Sequence, residues 1–290
     1  MNFFKTFDVI DTPQYPFFHI IPLMWYRKKT VVTWFEYWGN HWFNYTSNYL
    51  LAFFGVFVEK TISKIPKRVI SISNQSYTRL KYNTRNQSNT SYIPNWINYS
   101  KLSKIKSKND KYDICYFGRL KNHKNVDLLI RAIKLCVNIN YDLSVKIFGD
   151  GPERNNLENL VEELKLESNI TFEGFIDSHD ELLREVSASS LFVHPSTKEG
   201  GGSIVTLEAN AVGVPVLAIK SDLGIDKSLI YDNQNGFWVE DCSSQALAKK
   251  ILEAYNFVKK HREKFYNDCR KFVSKYDVHI LGKQVELIYN

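Results

Sequence analysis

An α/β fold built on a parallel, doubly wound sheet is predicted by three features of the sequence. From residue 112 onward, short apolar runs alternate with amphipathic helical patterns. A glycine follows each of the first three of those runs, at Gly118, Gly149 and Gly174. Residues 195–214, PSTKEGGGSIVTLEANAVGV, then carry an apolar strand ending at His194 through a glycine run into a helix. Strands that alternate with helices pair in parallel, because each crossover carries a helix back over the sheet. Ligands of such sheets bind beyond the carboxyl ends of the strands, which is where these glycines fall.

Taken in order, residues 1–107 are aromatic-rich and irregular in texture. A short strand is expected at 7–10, a helix at 15–23, and a strand of β-branched and aromatic residues at 30–34, followed by a turn at Gly39. Residues 45–60 show a helical apolar face, and 68–73 read as a buried strand with polar residues from Asn74. The basic, polar stretch 101–111 reads as a linker with Asn109-Asp110 as its turn. Two domains are therefore expected, 1–107 and 108–290. In the second, strands are expected at 112–117, 143–148, 170–172, 191–194 and 214–219. Helices are expected between them at 125–138, 153–166, 179–187 and 204–212, then at 243–257, at 261–272 and, shorter, near the terminus. The Asn/Ser/Lys-rich segments 83–91 and 101–111 read as loops.

A chain of 290 residues, 44% of them hydrophobic, is long enough for two modest domains with buried cores. The formal charge of +7 favours anionic partners such as nucleotides, phosphosugars or an acidic membrane surface. Nucleic acid is not expected, because no basic-aromatic motif accompanies the charge. Cys115, Cys136, Cys242 and Cys269 lie far apart without metal or redox spacing, so reduced thiols are expected. No apolar run approaches the ~20 residues of a membrane span and no signal-peptide pattern opens the chain. The expectation is a cytoplasmic protein, with peripheral membrane contact as an additional reading of the basic charge and aromatic surface.

Chemistry concentrates at the strand ends. A glycine-rich turn entering a helix leaves backbone N–H groups bare where the helix dipole is positive. Gly200, Gly201, Gly202 and Ser203 fit a site for a phosphate or sugar hydroxyl, or simply a tight turn. Glu199 precedes them and Glu208 lies about two turns into the helix. The sequence GRLKNHKN after residue 117 puts Arg119 on a loop and Lys124 at a helix start. Such a pair suits a diphosphate, Arg by its planar fork and Lys as a point charge, or else makes two surface cations. His194 reads as a structural residue and His123 as a solvated one. No Asp-x-Asp pair and no His/Cys cluster of metal spacing occurs, so no metal is expected.

Together the ordered motifs FGRLxxxKNxDxLIxA, IFGDGPE, FxGF and HPSxxEGGGSIVTLEANAxGVPV resemble the retaining nucleotide-sugar glycosyltransferases of the GT-B fold, family 4, over most of residues 112–260. The resemblance implies two Rossmann-like domains, the second holding a nucleoside-diphosphate sugar as substrate, with no cofactor, and the first meeting a glycan or lipid-linked acceptor. It assigns Arg119 and Lys124 to the donor diphosphate, where charge accumulates as the glycosidic bond breaks. Glu208 would hold the ribose hydroxyls and Glu199 face the donor sugar. Gly118, Gly151, Gly200, Gly201, Gly202 and Ser203 would form the surrounding loops, and Phe175 and Ile176 would pack on the nucleobase, although an aromatic there also suits a core.

Three departures from the family pattern stand out. Eight residues, rather than the usual seven, separate Glu199 from Glu208. Phe35 occupies the place where the family often carries a histidine near the reacting carbon. The chain also begins about where the third strand of the first domain is expected, which implies a shortened first domain with an open sheet edge. The aromatic-rich segment closing a smaller domain, a partner chain, or a fragmentary sequence would each account for that. Two functions follow: a retaining hexosyltransferase working by front-face attack, or a catalytically silent homologue supporting a partner subunit. In either case donor binding is expected to outlast transfer in the isolated chain.

Overall fold

The structure, a computed structural model, describes residues 3–83, 89–106 and 111–290. The expected Asn109-Asp110 turn, and residues 84–88 of the expected 83–91 loop, lie outside the described residues. The chain divides into two units: residues 1–95 with 200–202 and 279–290, and residues 96–199 with 203–278.

In the first unit a four-stranded parallel sheet runs β1 (Ile10–Pro13), β2 (Thr30–Trp34), β3 (Arg68–Ser71), β4 (Thr90–Tyr92), in that spatial order. The strand expected at 7–10 therefore starts at Ile10. The helix expected at 15–23 is instead a run of 3-10 turns, Phe18–Tyr26, with Pro22 inside it. Proline has no N–H to donate, and Pro16 and Pro22 together deny this stretch an α-helical ladder. After β2 come α1 (Trp42–Tyr45) and α2 (Tyr49–Ile62). Their junction is set by Asn48, whose side chain accepts from the N–H groups of Leu50 and Leu51. The polar residues after β3 form α3 (Asn74–Asn83).

Val32 and Trp34 alternate onto one face of β2, and Val69 lies opposite Val32 in register. Ile20 of the 3-10 turns and Ile62 of α2 pack with them, Val58 and Phe17 at the margin. Beneath α2 the buried Glu59 carboxylate accepts from Trp38 N–H, Gly39 N–H and the Trp42 indole at 3.0, 2.6 and 3.2 Å. Burial pushes it up to about 7 although those donors favour its charge.

The second unit contains α4 (Tyr99–Leu102) and a six-stranded parallel sheet. Its elements are β5 (Tyr112–Phe117), α5 (Val126–Asn138), β6 (Val145–Phe148), α6 (Arg154–Glu163), β7 (Ile170–Gly174), α7 (His179–Ser187), β8 (Ser189–His194), the first half of β9 (Lys198–Gly201), whose Gly200 and Gly201 fall in the first unit, α8 (Ile204–Ala211), β10 (Val216–Ile219), β11 (Leu223–Ile225), β12 (Gly236–Val239), α9 (Ser244–Lys260) and α10 (Arg262–Val273). The spatial order β12-β10-β8-β5-β6-β7 is doubly wound, and the winding reverses between β5 and β8. Strand β12 and the short β9 and β11 were not anticipated; a glycine run such as 200–202 reads as a turn and carries no side-chain alternation. The buried side of α5 carries Leu129, Ile130, Ile133 and Cys136, at the three- and four-residue spacing that meets a sheet. Ser178 caps α7 by accepting from Glu181 N–H, half of a Ser-x-x-Glu box. The last helix, α11 (Val278–Tyr289), is longer than expected. From His279 it belongs to the first unit, where Arg68 donates to the Ile288 and Tyr289 carbonyls at 2.6 and 2.9 Å.

Among the described residues no helix is long and apolar enough to cross a membrane, and no cluster of His, Cys, Asp and Glu could hold a metal ion. All four cysteines are free; Cys242 is exposed and the other three are buried.

Candidate functional site

A cleft of about 370 Å³ opens at the carboxyl edge of the second sheet. Its walls come from strand ends and the helices that follow: Gly118 and Arg119 after β5, Gly149 and Asp150 after β6, Phe175 and Ile176 after β7, His179 and Leu182 on α7, Val205 and Glu208 on α8. The glycines are needed for the loops to approach. A Cβ on Gly149, at φ +121°, would lie 2.1 Å from the Gly118 carbonyl oxygen. Phe175 is 72% exposed on the cleft wall, so it is no core residue. Arg119 is exposed beside it.

Glu208 is the buried charge of the cleft, 8% exposed. Burial pushes its carboxyl up to about 7, since a charge leaving water loses hydration that little else replaces. The half-exposed His179 places Nε2 at 3.2 Å from Oε1 of Glu208. Sequence reasoning missed His179. The signal was available, because the Ser178-x-x-Glu181 cap places the first residue of α7 at the same edge as the third glycine.

Beside the cleft, at the winding reversal, the loops after β5 and β8 are stitched together. Ser196 Oγ donates to the His123 carbonyl at 2.9 Å, and Asn125 Nδ2 donates to the Pro195 carbonyl at 3.1 Å. Lys124, on a 3-10 turn before α5 rather than at the helix start, donates to Glu199 Oε1 at 2.6 Å. Burial raises the Glu199 carboxyl, but the charges of His194 and Lys124 and hydrogen bonds from Lys124 and Ser196 outweigh it and hold the group below the usual range. His194 is buried, with Nε2 3.4 Å from Ser203 Oγ and 3.8 Å from Glu199. Burial lowers its pKa, and the neighbouring Glu199 carboxylate partly opposes that. His123 is half-buried rather than solvated, and burial together with Lys124 lowers it as well.

The expected site residues therefore separate. Gly118, Arg119, Phe175, Ile176 and Glu208 converge on the cleft. Lys124 and Glu199 form an ion pair beside it. Gly151 serves loop packing, since a Cβ there would meet the Leu120 carbonyl oxygen at 2.2 Å. The hydroxyl of Ser203 is buried and accepts from Thr206 at 3.0 Å. Gly200, Gly201 and Gly202 group with the first unit; Asn95 Nδ2 donates to the Gly202 carbonyl at 3.1 Å, and Gly200 and Gly201 adopt φ of +63° and +99°.

Residues 100–272 match the family described as glycosyl transferases group 1. The chain belongs to that family. An uncharacterized glycosyltransferase of Methanocaldococcus jannaschii is 30% identical over 239 residues, 79% of this chain and 58% of that protein. The poly(glycerol-phosphate) alpha-glucosyltransferase of Bacillus subtilis is 28% identical over 167 residues, 58% of this chain and 24% of its own. This glycosyl transferase chain thus spans about half or less of the length of such relatives. Among solved structures, Anabaena Alr3699/HepE in complex with UDP superposes with a TM-score of 0.75 at 21% identity, over 93% of this chain and 74% of that one. The sucrose-phosphate synthase of Thermosynechococcus elongatus gives 0.77 at 22%, over 98% and 73%. These neighbours share the GT-B glycosyltransferase fold, and at that identity the likeness speaks for fold alone.

Proposed function

We propose that the chain moves a hexosyl group from a nucleoside-diphosphate sugar to an acceptor hydroxyl with retention of anomeric configuration, as the family 4 pattern of its motifs implies. The observation that carries this reading is the cleft itself: an apolar slot with Phe175 and Ile176 on one wall, the buried Glu208 carboxyl on another and Arg119 at the rim. A nucleobase fits the apolar walls, ribose hydroxyls donate to Glu208, and the diphosphate meets the Arg119 fork. The structural neighbour holding UDP supports a uridine donor. Residues 108–290 would bind the donor and 1–107 the acceptor, a glycan or a lipid-linked sugar.

In the retaining reaction the bond from anomeric carbon to phosphate oxygen breaks while the acceptor oxygen attacks from the same face. The departing phosphate takes the acceptor proton, so no enzyme carboxylate need be a nucleophile. Arg119, and Lys124 once drawn from Glu199, stabilise the charge that collects on the leaving diphosphate.

A second reading, a silent homologue that supports a partner subunit, is favoured by Phe35, which has no hydrogen bond to offer a sugar. Donor binding comes first in testing either. Arg119→Ala should lose about 1.5–3 kcal/mol of UDP affinity by calorimetry, whereas Lys121→Ala should lose almost none. Equal affinities would remove the assignment. Anomeric configuration of the product, read by NMR, separates retention from inversion, and donor binding without transfer across an acceptor panel would select the silent reading.

A further inference from the structure

Helix α2 is apolar on both sides. Its inward side, Ala52, Glu59 and Ile62, packs into the first unit. Its outward side repeats at helical spacing as Leu50, Phe53, Phe54 and Phe57, and Leu50, Phe53 and Phe57 are 83%, 66% and 60% exposed. A helix at the surface of a water-soluble domain ordinarily turns charged residues outward. The neighbouring 3-10 turns repeat the anomaly, with Phe18, Ile21, Met24 and Trp25 exposed while Ile20 and Leu23 are buried. Both elements pack over one sheet face, because Ile20, Val58 and Ile62 share the cluster of Val32, Trp34 and Val69.

Charge completes the pattern. The first unit holds twelve Lys and Arg against five Asp and Glu, and the second holds twenty-six of each, so the whole +7 belongs to the first. Its cations gather where these two apolar elements end. Arg27 and Lys28 follow the 3-10 turns and are exposed just before β2; Lys60, Lys64 and Lys67 follow the outward stripe of α2 and are exposed just before β3. Since β2 and β3 are parallel neighbours with Val31 opposite Arg68, both clusters sit at the same sheet edge.

We propose that α2 and the 3-10 turns of the first unit form a docking face for an anionic lipid bilayer, the apolar side chains entering the headgroup–acyl boundary and the five cations meeting lipid phosphates. Aromatic rings are well placed at such a boundary, and a basic rim gives preference for anionic lipid. The face would hold the protein beside acceptors carried in a membrane. It depends on neither the donor nor the chemistry assigned above.

Flotation with phosphatidylcholine vesicles, pure or mixed with phosphatidylglycerol, tests this on the full chain. The wild-type protein should float with the mixed vesicles at low ionic strength and less so at high salt. The triple variant L50S/F53S/F57S should bind at least about tenfold more weakly, and K64E/K67E should lose the preference for phosphatidylglycerol. All five positions are exposed, and an unchanged far-UV circular dichroism spectrum and urea midpoint in the variants show that they fold. Absence of flotation on either composition overturns the proposal, as does a triple variant that floats like the wild type. A wild-type dimer in sedimentation that the triple variant converts to monomer also overturns it, since the face is then a contact between copies. UDP binding is read separately, so failure of the donor assignment leaves a distinct signature.

Discussion

The two units are built to one plan and use it differently. Each centres on a parallel sheet with helices between the strands. The second is electrically balanced and concentrates its unusual groups inside: a buried Glu208, a part-buried pair of Glu199 and Lys124, and a buried His194. The first carries all the net charge and, apart from the buried Glu59 held by three N–H donors, places its unusual groups outside, on α2 and the 3-10 turns. Interior polar groups are costly unless partnered, so they persist where a small ligand or a specific geometry requires them. Exposed apolar groups are costly only in water, so they suit a surface that meets another phase or a partner.

The contrast is sharpest in stability. Removing Lys124 leaves the part-buried Glu199 charge with only His194 and Ser196 beside it, so Lys124→Ala should destabilise the second unit by about 1–3 kcal/mol. By the same reasoning Phe53→Ser on the outer face of α2 should change stability by less than about 0.5 kcal/mol. Urea unfolding of both variants checks this. Similar losses would mean that the α2 face is packed rather than open.

Smaller, and confined to the cleft, is a pH effect. Burial holds the Glu208 carboxyl near 7 in the empty protein, so under the proposed role both its oxygens would accept ribose hydroxyls only after the proton leaves. Affinity for UDP-glucose, whose diphosphate does not titrate in this range, should rise by up to about tenfold between about pH 6 and pH 8. Glu208→Gln should bind more weakly and flatten the profile. The folded empty protein holds a proton that the unfolded chain releases near the ordinary 4.5. This group's contribution to stability is therefore full below that value and is lost as pH rises through about 7. A wild-type affinity independent of pH would separate Glu208 from the ribose.

The least effect is expected at His179. It touches Glu208 from a half-exposed position, so His179→Ala should cost about 0.5–1.5 kcal/mol of UDP affinity, and His179→Gln, which keeps an N–H donor, should recover part of it. Loss of the same size in both variants would point to packing rather than to the contact with Glu208.

Much of the second unit was legible because its signals are local. Strands 112–117 and 216–219, helix 179–187, and the glycines behind each strand depend on apolar periodicity and on φ values that only glycine reaches easily. The first unit was less legible because proline and aromatic residues obscure that periodicity: the helix expected at 15–23 is 3-10, and α3 was hidden in polar residues with no apolar face to announce it. At the site, motif order pointed to Arg119, Lys124, Phe175, Ile176 and Glu208; all but Lys124 line the cleft, and the contact between Lys124 and Glu199 beside it is one that motif order does not announce. His179 carries no motif at all.

By itself the sequence determined the parallel α/β plan, the sheet edge at which the cleft opens, and the family to which the chain belongs, since each rests on spacing along the chain. Only the tertiary structure decided which charges are buried and which partner each one meets. Those depend on distances across loops far apart in sequence: the 2.6 Å between Lys124 and Glu199, the 3.2 Å between His179 and Glu208. It also decided that the helix after Asn48 turns an apolar face to water, because a stripe becomes a surface only when the other side of the helix has been packed away.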